Sequence, residues 1–434
     1  MRLITSTTKL KLYDHHCAVE FGMNSDSKSL SGPSSDDNDR RQLLVDISVI
    51  YKHDARTGIQ RVVRGIWNQL RQHRLTGYDL RPVFATAHQP YCYAPDEFLD
   101  TNAPQSQPPH VQVEMRAGDI FLGLDLAAHL LPRYVWQITE WRKAGGLIHL
   151  LVYDLLPATN GHWFSRRART NFKSWLGAVA HLSDQAICIS QHVASELRTW
   201  LYNHCVDDAA GPRISTIRLG ADVQATNPTQ GIPAHAELIK TALGVAPGVL
   251  MIGTVEPRKG YGCAVAAFEH LWHADDDTSP ALIIVGKPGW KTRWLQWRLR
   301  RHPKRGRKFF WLEDASDQFV EHLYQTCQGL LCTSYAEGFG LPIAEATAHG
   351  VPVLTRNIPV FREFNGQHIS YFNDDHPKAL SHAVEAWLDD IATFDRTAVA
   401  EPQPSWANTT QQLLSLLGVA YTALPNREAT HLPP

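Results

Sequence analysis

The sequence predicts an α/β chain built from two doubly wound domains that face each other across a cleft. Three observations carry this expectation. Nearly continuous apolar strands alternate with helical stretches, which is the pattern of parallel sheets covered on both faces. The alternation stops at 222–246 and then restarts. The 434 residues suffice for two ordinary domains, and a chain that is 44% hydrophobic and 20% charged can bury two cores.

The first series starts at LLVDIS (43–48), a short apolar strand. TGIQRVVRGIWNQLRQH follows as an amphipathic helix, with Ile59, Val62, Val63, Ile66 and Leu70 at helical spacing. Further strands are expected at 80–86, 119–125, 147–154 and 186–190. Prolines and Gly231 then mark a break. The second series places strands at 248–255, 281–286, 308–313, 329–334 and 351–355. The expected organisation is a flexible, polar extension at 1–41, an N-terminal domain at 42–225 and a linker at 226–245. A C-terminal domain spans 246–400, a helix at 401–422 packs back on the N-terminal domain, and 423–434 is a tail.

Composition excludes several classes. A net charge of −1 does not mark a nucleic-acid binder. No apolar run reaches the length of a membrane span, and MRLITSTTKLKLYDHH lacks the apolar core of a secretory signal. Seven cysteines, scattered from Cys17 to Cys332 without a CxxC pair, are expected to be reduced thiols of a cytoplasmic protein.

Ligands of open α/β sheets sit at the carboxyl ends of the strands, so the segments that follow each strand carry the chemistry. The most informative is GLLCTSYAEGFGLPIAEATAHGVPVLT. A buried strand runs into a loop that delivers Gly338, Phe339, Gly340 and Leu341 to a helix start. Pro342 suits the first turn of that helix, and Gly350 its C-terminal end. Free N–H groups and the helix dipole there favour an anion such as a diphosphate. Glu337 enters from the loop and Glu345 lies one turn into the helix; two carboxylates beside an anion site suit ligands rich in hydroxyls, a sugar and a ribose. In the neighbouring series, GTVEPRKGYG places Arg258 and Lys259 on the turn after a strand. There an Arg fork and a Lys point charge would neutralise a departing diphosphate.

EGFGLPIAE resembles the Glu-x7-Glu signature of the family 4 retaining glycosyltransferases, whose GT-B fold pairs two Rossmann-like domains. The resemblance implies that Glu337 contacts the transferred sugar, that Glu345 binds the donor ribose, and that the backbone of Phe339, Gly340 and Leu341 touches sugar and phosphate. EPRKG resembles the motif whose Arg and Lys hold the diphosphate, which falls here on Arg258 and Lys259. Many members carry an Arg after the first Gly of that motif; here Thr254 follows Gly253. Thr57-Gly58 resembles the N-terminal glycine loop, so Gly58 is a further donor-binding candidate. Relatives often end the mid-domain strand with a sugar-contacting His. This chain has Tyr153-Asp154 instead, which makes Asp154 the candidate for sugar hydroxyls and leaves His162 as a substitute or a merely structural residue. Ser190 and Asp222 match family landmarks near the cleft, with structural caps as the competing reading.

The resemblance implies a hexosyltransferase that retains anomeric configuration, with bacterial mannosyltransferases of surface polysaccharide assembly as the leading comparison. GDP-mannose is the leading donor; other GDP- or UDP-sugars (rhamnose, fucose, glucose, N-acetylglucosamine) remain open, as do an epimerase and a noncatalytic subunit of the same fold. The acceptor would be a saccharide or a lipid-linked saccharide. No DxD element sits at a strand end, since Asp275 to Asp277 fall between a helix and a strand, so no metal is expected, and no cofactor.

One basic segment remains, KPGWKTRWLQWRLRRHPKRGRKFFW, with nine Lys or Arg between 291 and 308 and with Trp290, Trp294 and Trp297 at helical spacing. It reads either as a helix whose tryptophans face the sheet or as a peripheral contact with an anionic membrane at the inner face of the cytoplasmic membrane.

Overall fold

The computed structural model describes residues 40–99, 111–204, 211–274, 278–364, 366, 368–394 and 403–424. The expected extension up to residue 39, Cys17, the Asp275–Asp277 segment and most of the tail lie outside the described residues.

The N-terminal sheet contains β1 (Arg41–Asp46), β3 (Tyr78–Phe84), β4 (Cys92–Tyr93), β5 (Ile120–Gly123), β6 (Leu147–Val152), β7 (Gln185–Cys188) and β8 (Arg213–Thr216). Its order is β4-β3-β1-β5-β6-β7-β8, parallel except for the antiparallel β3–β4 edge. A short β2 (His73–Leu75) stands apart from it. The C-terminal sheet holds β9 (Gly248–Ile252), β10 (Ala281–Val285), β11 (Phe309–Leu312), β12 (Gly329–Cys332), β13 (Val353–Arg356) and β14 (Ile369–Phe372). It is wholly parallel, in the order β11-β10-β9-β12-β13-β14. Finally β15 (Tyr421–Ala423) pairs antiparallel with β2.

The apolar strands are apolar because both faces are covered. In β1, Leu43 and Val45 point into a cluster with Val62, Ile66 and Trp67 of the Gly58–Leu70 helix, whereas Leu44 joins Ile138, Trp141 and Trp175 on the opposite face. In β10, Ile283 and Val285 face one layer and Leu282 and Ile284 the other. Alternate side chains of a strand point to opposite faces, so a doubly covered strand has no polar side to show.

The last helix, Trp406–Leu417, lies in the N-terminal core although it follows the C-terminal sheet in sequence. Ser405 and Asn408 form its capping box, and Trp406 is 1% exposed beside Val62, Ile66 and Leu413. The stretch expected to be a plain linker contains a helix, Ala236–Leu243, whose Ile239 is buried against the C-terminal sheet. The prolines and glycine ahead of it hide an eight-residue helix that tertiary packing stabilises. The C-terminal tail begins with strand rather than coil, since Tyr421–Ala423 finds β2 as a partner.

Both main sheets have a switch point where consecutive strands depart in opposite directions. In the first sheet it lies between β1 and β5; in the second it lies between β9 and β12. Crevices for ligands open at such points, outside the carboxyl ends of the strands. The segments after β9 and β12 are the EPRKG and EGFG segments.

Candidate functional site

The two motif segments are stitched together backbone to backbone. The Arg258 carbonyl accepts from the Tyr335 N–H at 2.8 Å, and the Lys259 carbonyl accepts from Thr333 Oγ1 at 2.7 Å. Pro257–Lys259 form a 3-10 turn. This aims both cations at the loop after β12. Lys259 Nζ reaches Glu337 Oε1 at 2.5 Å, and the Arg258 guanidinium pairs with Glu337 Oε2. Arg258 also holds Glu256 at 2.7 Å and donates to the Ala336 carbonyl at 3.0 Å. Burial alone would raise the Glu337 carboxyl. The Arg258 and Lys259 cations overcome that and hold it at about 2, so this carboxylate is ionised at any working pH.

Around this triad the acidity runs the other way. Burial raises the Glu256 carboxyl, with Arg258 and Lys259 offsetting part of the rise, and Glu256 Oε2 is buried without a hydrogen-bond partner. Burial likewise raises Asp154, opposed by Arg258 and reinforced by Glu337. Asp154 follows β6 of the N-terminal sheet, so the two sheets meet at this cluster. The contact is close: a side chain on Gly338 would stand 1.9 Å from the Tyr153 carbonyl oxygen and 3.2 Å from Asp154 Cβ. Only a glycine fits there. Ser190, after β7, donates to the Gly338 carbonyl at 2.7 Å.

Gly340 caps the Leu341–Ala348 helix, with Pro342 in its first turn. The side chains of Phe339 and Leu341 pack: Phe339 contacts the cores of both domains, and Leu341 sits against the N-terminal core, 3.6 Å from where a side chain on Gly58 would be. Thr57 and Gln60 form the capping box that starts the Gly58–Leu70 helix. Two helix starts, whose dipoles favour an anion, therefore adjoin at one wall of the cleft.

Glu345 is 2% exposed. Tyr324 donates to its Oε2 at 2.9 Å, and Arg61, from the Gly58–Leu70 helix of the other domain, pairs with its Oε1. The same guanidinium reaches Asp317 at 2.5 Å. The sequence reading missed Arg61, because nothing local tells a basic residue on a helix that its partner lies 284 positions away. It also missed Glu256 as part of the charged cluster, although it adjoins Arg258 in the motif.

Three further candidates fall elsewhere. Asp222 accepts from the Trp406 N–H at 2.7 Å and so anchors the last helix. His162 is exposed; its ring lies 4.8 Å from Trp163, and its carbonyl accepts from Lys291 Nζ at 2.6 Å. In the basic segment the helix begins only at Arg293, after Pro288, Gly289 and a left-handed Lys291. Trp290 is therefore not on it, and Trp290 Nε1 donates to the Trp163 carbonyl across the cleft at 2.9 Å. The tryptophans do not face the sheet: Trp290, Trp294 and Trp297 are 45%, 68% and 53% exposed, and the buried face belongs to Gln296 and Leu299.

Two cations and an ionised glutamate stand at the switch point of one doubly wound sheet, facing a second such sheet, and mark a candidate site between two α/β domains. Comparison with known proteins narrows this further. Residues 244–398 match the family described as Glycosyl transferases group 1. The serotype-specific mannosyltransferase WbdA of Escherichia coli is 39% identical over 350 residues, covering 80% of this chain and 41% of that protein. A second Escherichia coli WbdA is 37% identical over 385 residues, covering 87% and 46%. The chain thus spans under half the length of these curated relatives. Among solved structures, HepE from Anabaena in complex with UDP-glucose superposes with a TM-score of 0.58 at 16% identity, covering 87% of this chain and 99% of that one. At that identity the likeness is one of fold. The C-terminal segment 244–398 is thus of the group 1 glycosyl transferase type, and the chain has the GT-B fold.

Proposed function

We propose that this chain is a retaining glycosyltransferase that moves mannose from GDP-mannose onto a saccharide or lipid-linked saccharide acceptor in surface polysaccharide biosynthesis. The observation that carries the reading is the Glu337 carboxylate, partly buried and held ionised by Arg258 and Lys259 at the switch point of the C-terminal sheet. The names of the WbdA relatives supply the sugar, and mannose passes to this chain from them alone.

In this reading the donor diphosphate takes over Arg258 and Lys259, with the first N–H groups of the Leu341–Ala348 helix adding donors. Glu337, released from one or both cations, accepts from a hydroxyl of the transferred sugar, and Asp154 from another. Glu345 takes the ribose. The bond between the anomeric carbon and the diphosphate oxygen breaks, its electron pair leaving with the diphosphate. The acceptor hydroxyl oxygen bonds to that carbon on the same face, and its proton passes to the departing phosphate oxygen. Arg258 and Lys259 stabilise charge that grows as the bond breaks, in a site already organised around them, and so supply the role a metal ion plays elsewhere. No cofactor enters this scheme. Released nucleotide, assayed over a panel of GDP- and UDP-sugars with and without acceptor, tests it. Turnover of GDP-mannose to a transfer product supports the proposal, and an epimer formed from donor alone contradicts it.

No helix among the described residues is long and apolar enough to cross a membrane. We propose instead a peripheral contact through the Arg293–Arg300 helix, at the inner face of the cytoplasmic membrane. Its exposed Trp294 and Trp297 lie beneath Arg298 and Arg301, a pairing of aromatic and cationic groups suited to an anionic lipid surface. Flotation with vesicles containing anionic lipid tests this; equal flotation of the wild type and of a variant neutralised over 298–308 contradicts it.

A further inference from the structure

Arg61 stands where a ligand is expected. Its guanidinium comes from the N-terminal domain and divides its two arms between carboxylates of the C-terminal domain, Nη1 to Glu345 and Nη2 to Asp317, the latter at 2.5 Å. Arg61 is 19% exposed, Asp317 13% and Glu345 2%, and the guanidinium occupies Glu345 Oε1 while the Tyr324 hydroxyl occupies Oε2. Asp317 is independently fixed, accepting from Thr229 N at 2.9 Å and Thr229 Oγ1 at 2.8 Å. Arg56 adds a second cation 3.8 Å from it. Asp317 thus keeps its place whether or not Arg61 is present, while among the described residues Glu345 would retain the hydrogen bond from the Tyr324 hydroxyl.

We infer that Arg61 is a positioning residue that holds the place of the donor ribose. It holds Glu345 before nucleotide binds, yields it to the ribose hydroxyls on binding, and stays tethered to Asp317 meanwhile. This rests on the donor-site reading above and adds to it a determinant of donor affinity contributed by the opposite domain. A binding-competent state that must first be freed lowers apparent affinity by its fractional population, and a change that removes the competitor restores it. Arg61 therefore weakens nucleotide binding in proportion to how much that nucleotide relies on its ribose hydroxyls.

The test is calorimetric binding of GDP and UDP, each beside its 2′,3′-dideoxy analogue, to the wild type, Arg61→Ala and Arg61→Lys. The expected result is a preference for ribose over dideoxyribose that rises roughly tenfold in Arg61→Ala, equivalent to one ion pair that no longer has to be broken. Arg61→Lys keeps a cation near the buried carboxylates and guards against loss of folding in the alanine variant. Its single ammonium reaches one carboxylate rather than two, so its preference should fall between the others. An unchanged preference, or equal weakening of both nucleotides, overturns the inference and makes Arg61 a structural or phosphate-binding group. Absence of any nucleoside diphosphate binding in the wild type contradicts the donor-site reading itself.

Discussion

The Ser190 hydroxyl donates to the Gly338 carbonyl at 2.7 Å, so the carboxyl edge of the N-terminal sheet is bonded directly to the loop that carries Glu337. Gly338 faces the Tyr153 carbonyl with no room for a methyl group, since an added carbon would stand 1.9 Å from the oxygen. Gly338→Ala must therefore move the loop or part the domains. We expect it to cost about 1–3 kcal/mol of stability, as overpacking does, and to lower turnover more than Ser190→Ala, which removes one hydrogen bond without a clash. Melting temperatures and initial rates of the two variants check the order.

Gly65 lies inside the Gly58–Leu70 helix, where alanine would ordinarily add stability. Here an added carbon would meet the Trp406 ring at 2.4 Å. Gly65→Ala should therefore destabilise, because it lifts the last helix from the N-terminal core. Loss of the Trp406 contact would show as a red-shifted tryptophan emission. A stabilised Gly65→Ala protein would contradict the packing of that helix.

Asp46 ends β1 and is fully buried; burial raises it from 3.8 to about 7, against hydrogen bonds from Ser48 and Tyr91. The native chain then holds a proton that the unfolded chain gives up between those values. Stability should fall as pH rises from about 4 to 7 on account of this group. Glu337 has the opposite sign: its native value of about 2 lies below 4.5, so its contribution is present above that range and lost as pH falls through it. Denaturant unfolding across pH 4 to 7 should show a shallower decline in Asp46→Asn than in the wild type. Equal slopes would show that Asp46 is not the group responsible.

Arg258 and Lys259 supply the positive charge of the proposed reaction. Turnover should accordingly survive chelation by EDTA. Loss of activity in EDTA with recovery on adding magnesium or manganese would contradict this.

Much of the fold was legible because it rests on local patterns. Each strand expected in the two series has its counterpart, and the segments after β9 and β12 could be recognised because the residues that matter there are near neighbours in sequence. What was not legible depends on distant partners. β14 is four residues long between polar flanks, too short to stand out, and it pairs along the edge that β13 offers. The Ala236–Leu243 helix sits behind breakers. Trp290 was assigned to a helix by spacing, while the chain breaks at Pro288 and Gly289 and gives its indole to the other domain. Arg61 illustrates the limit most clearly. Its place in a helix could be read, and its reach into Glu345 could not, since that depends on how two sheets meet.

The central claim is that Glu337 and the Arg258–Lys259 pair form the reacting wall of a donor site. Release of nucleotide from GDP-mannose, measured for the wild type, Glu337→Ala and Lys259→Ala at saturating acceptor, tests it most directly. The account predicts a wild-type rate that falls roughly 100-fold or more in both variants, with folding intact. Glu345→Ala should instead act mainly through donor KM. Full activity in Glu337→Ala and Lys259→Ala together would contradict the account.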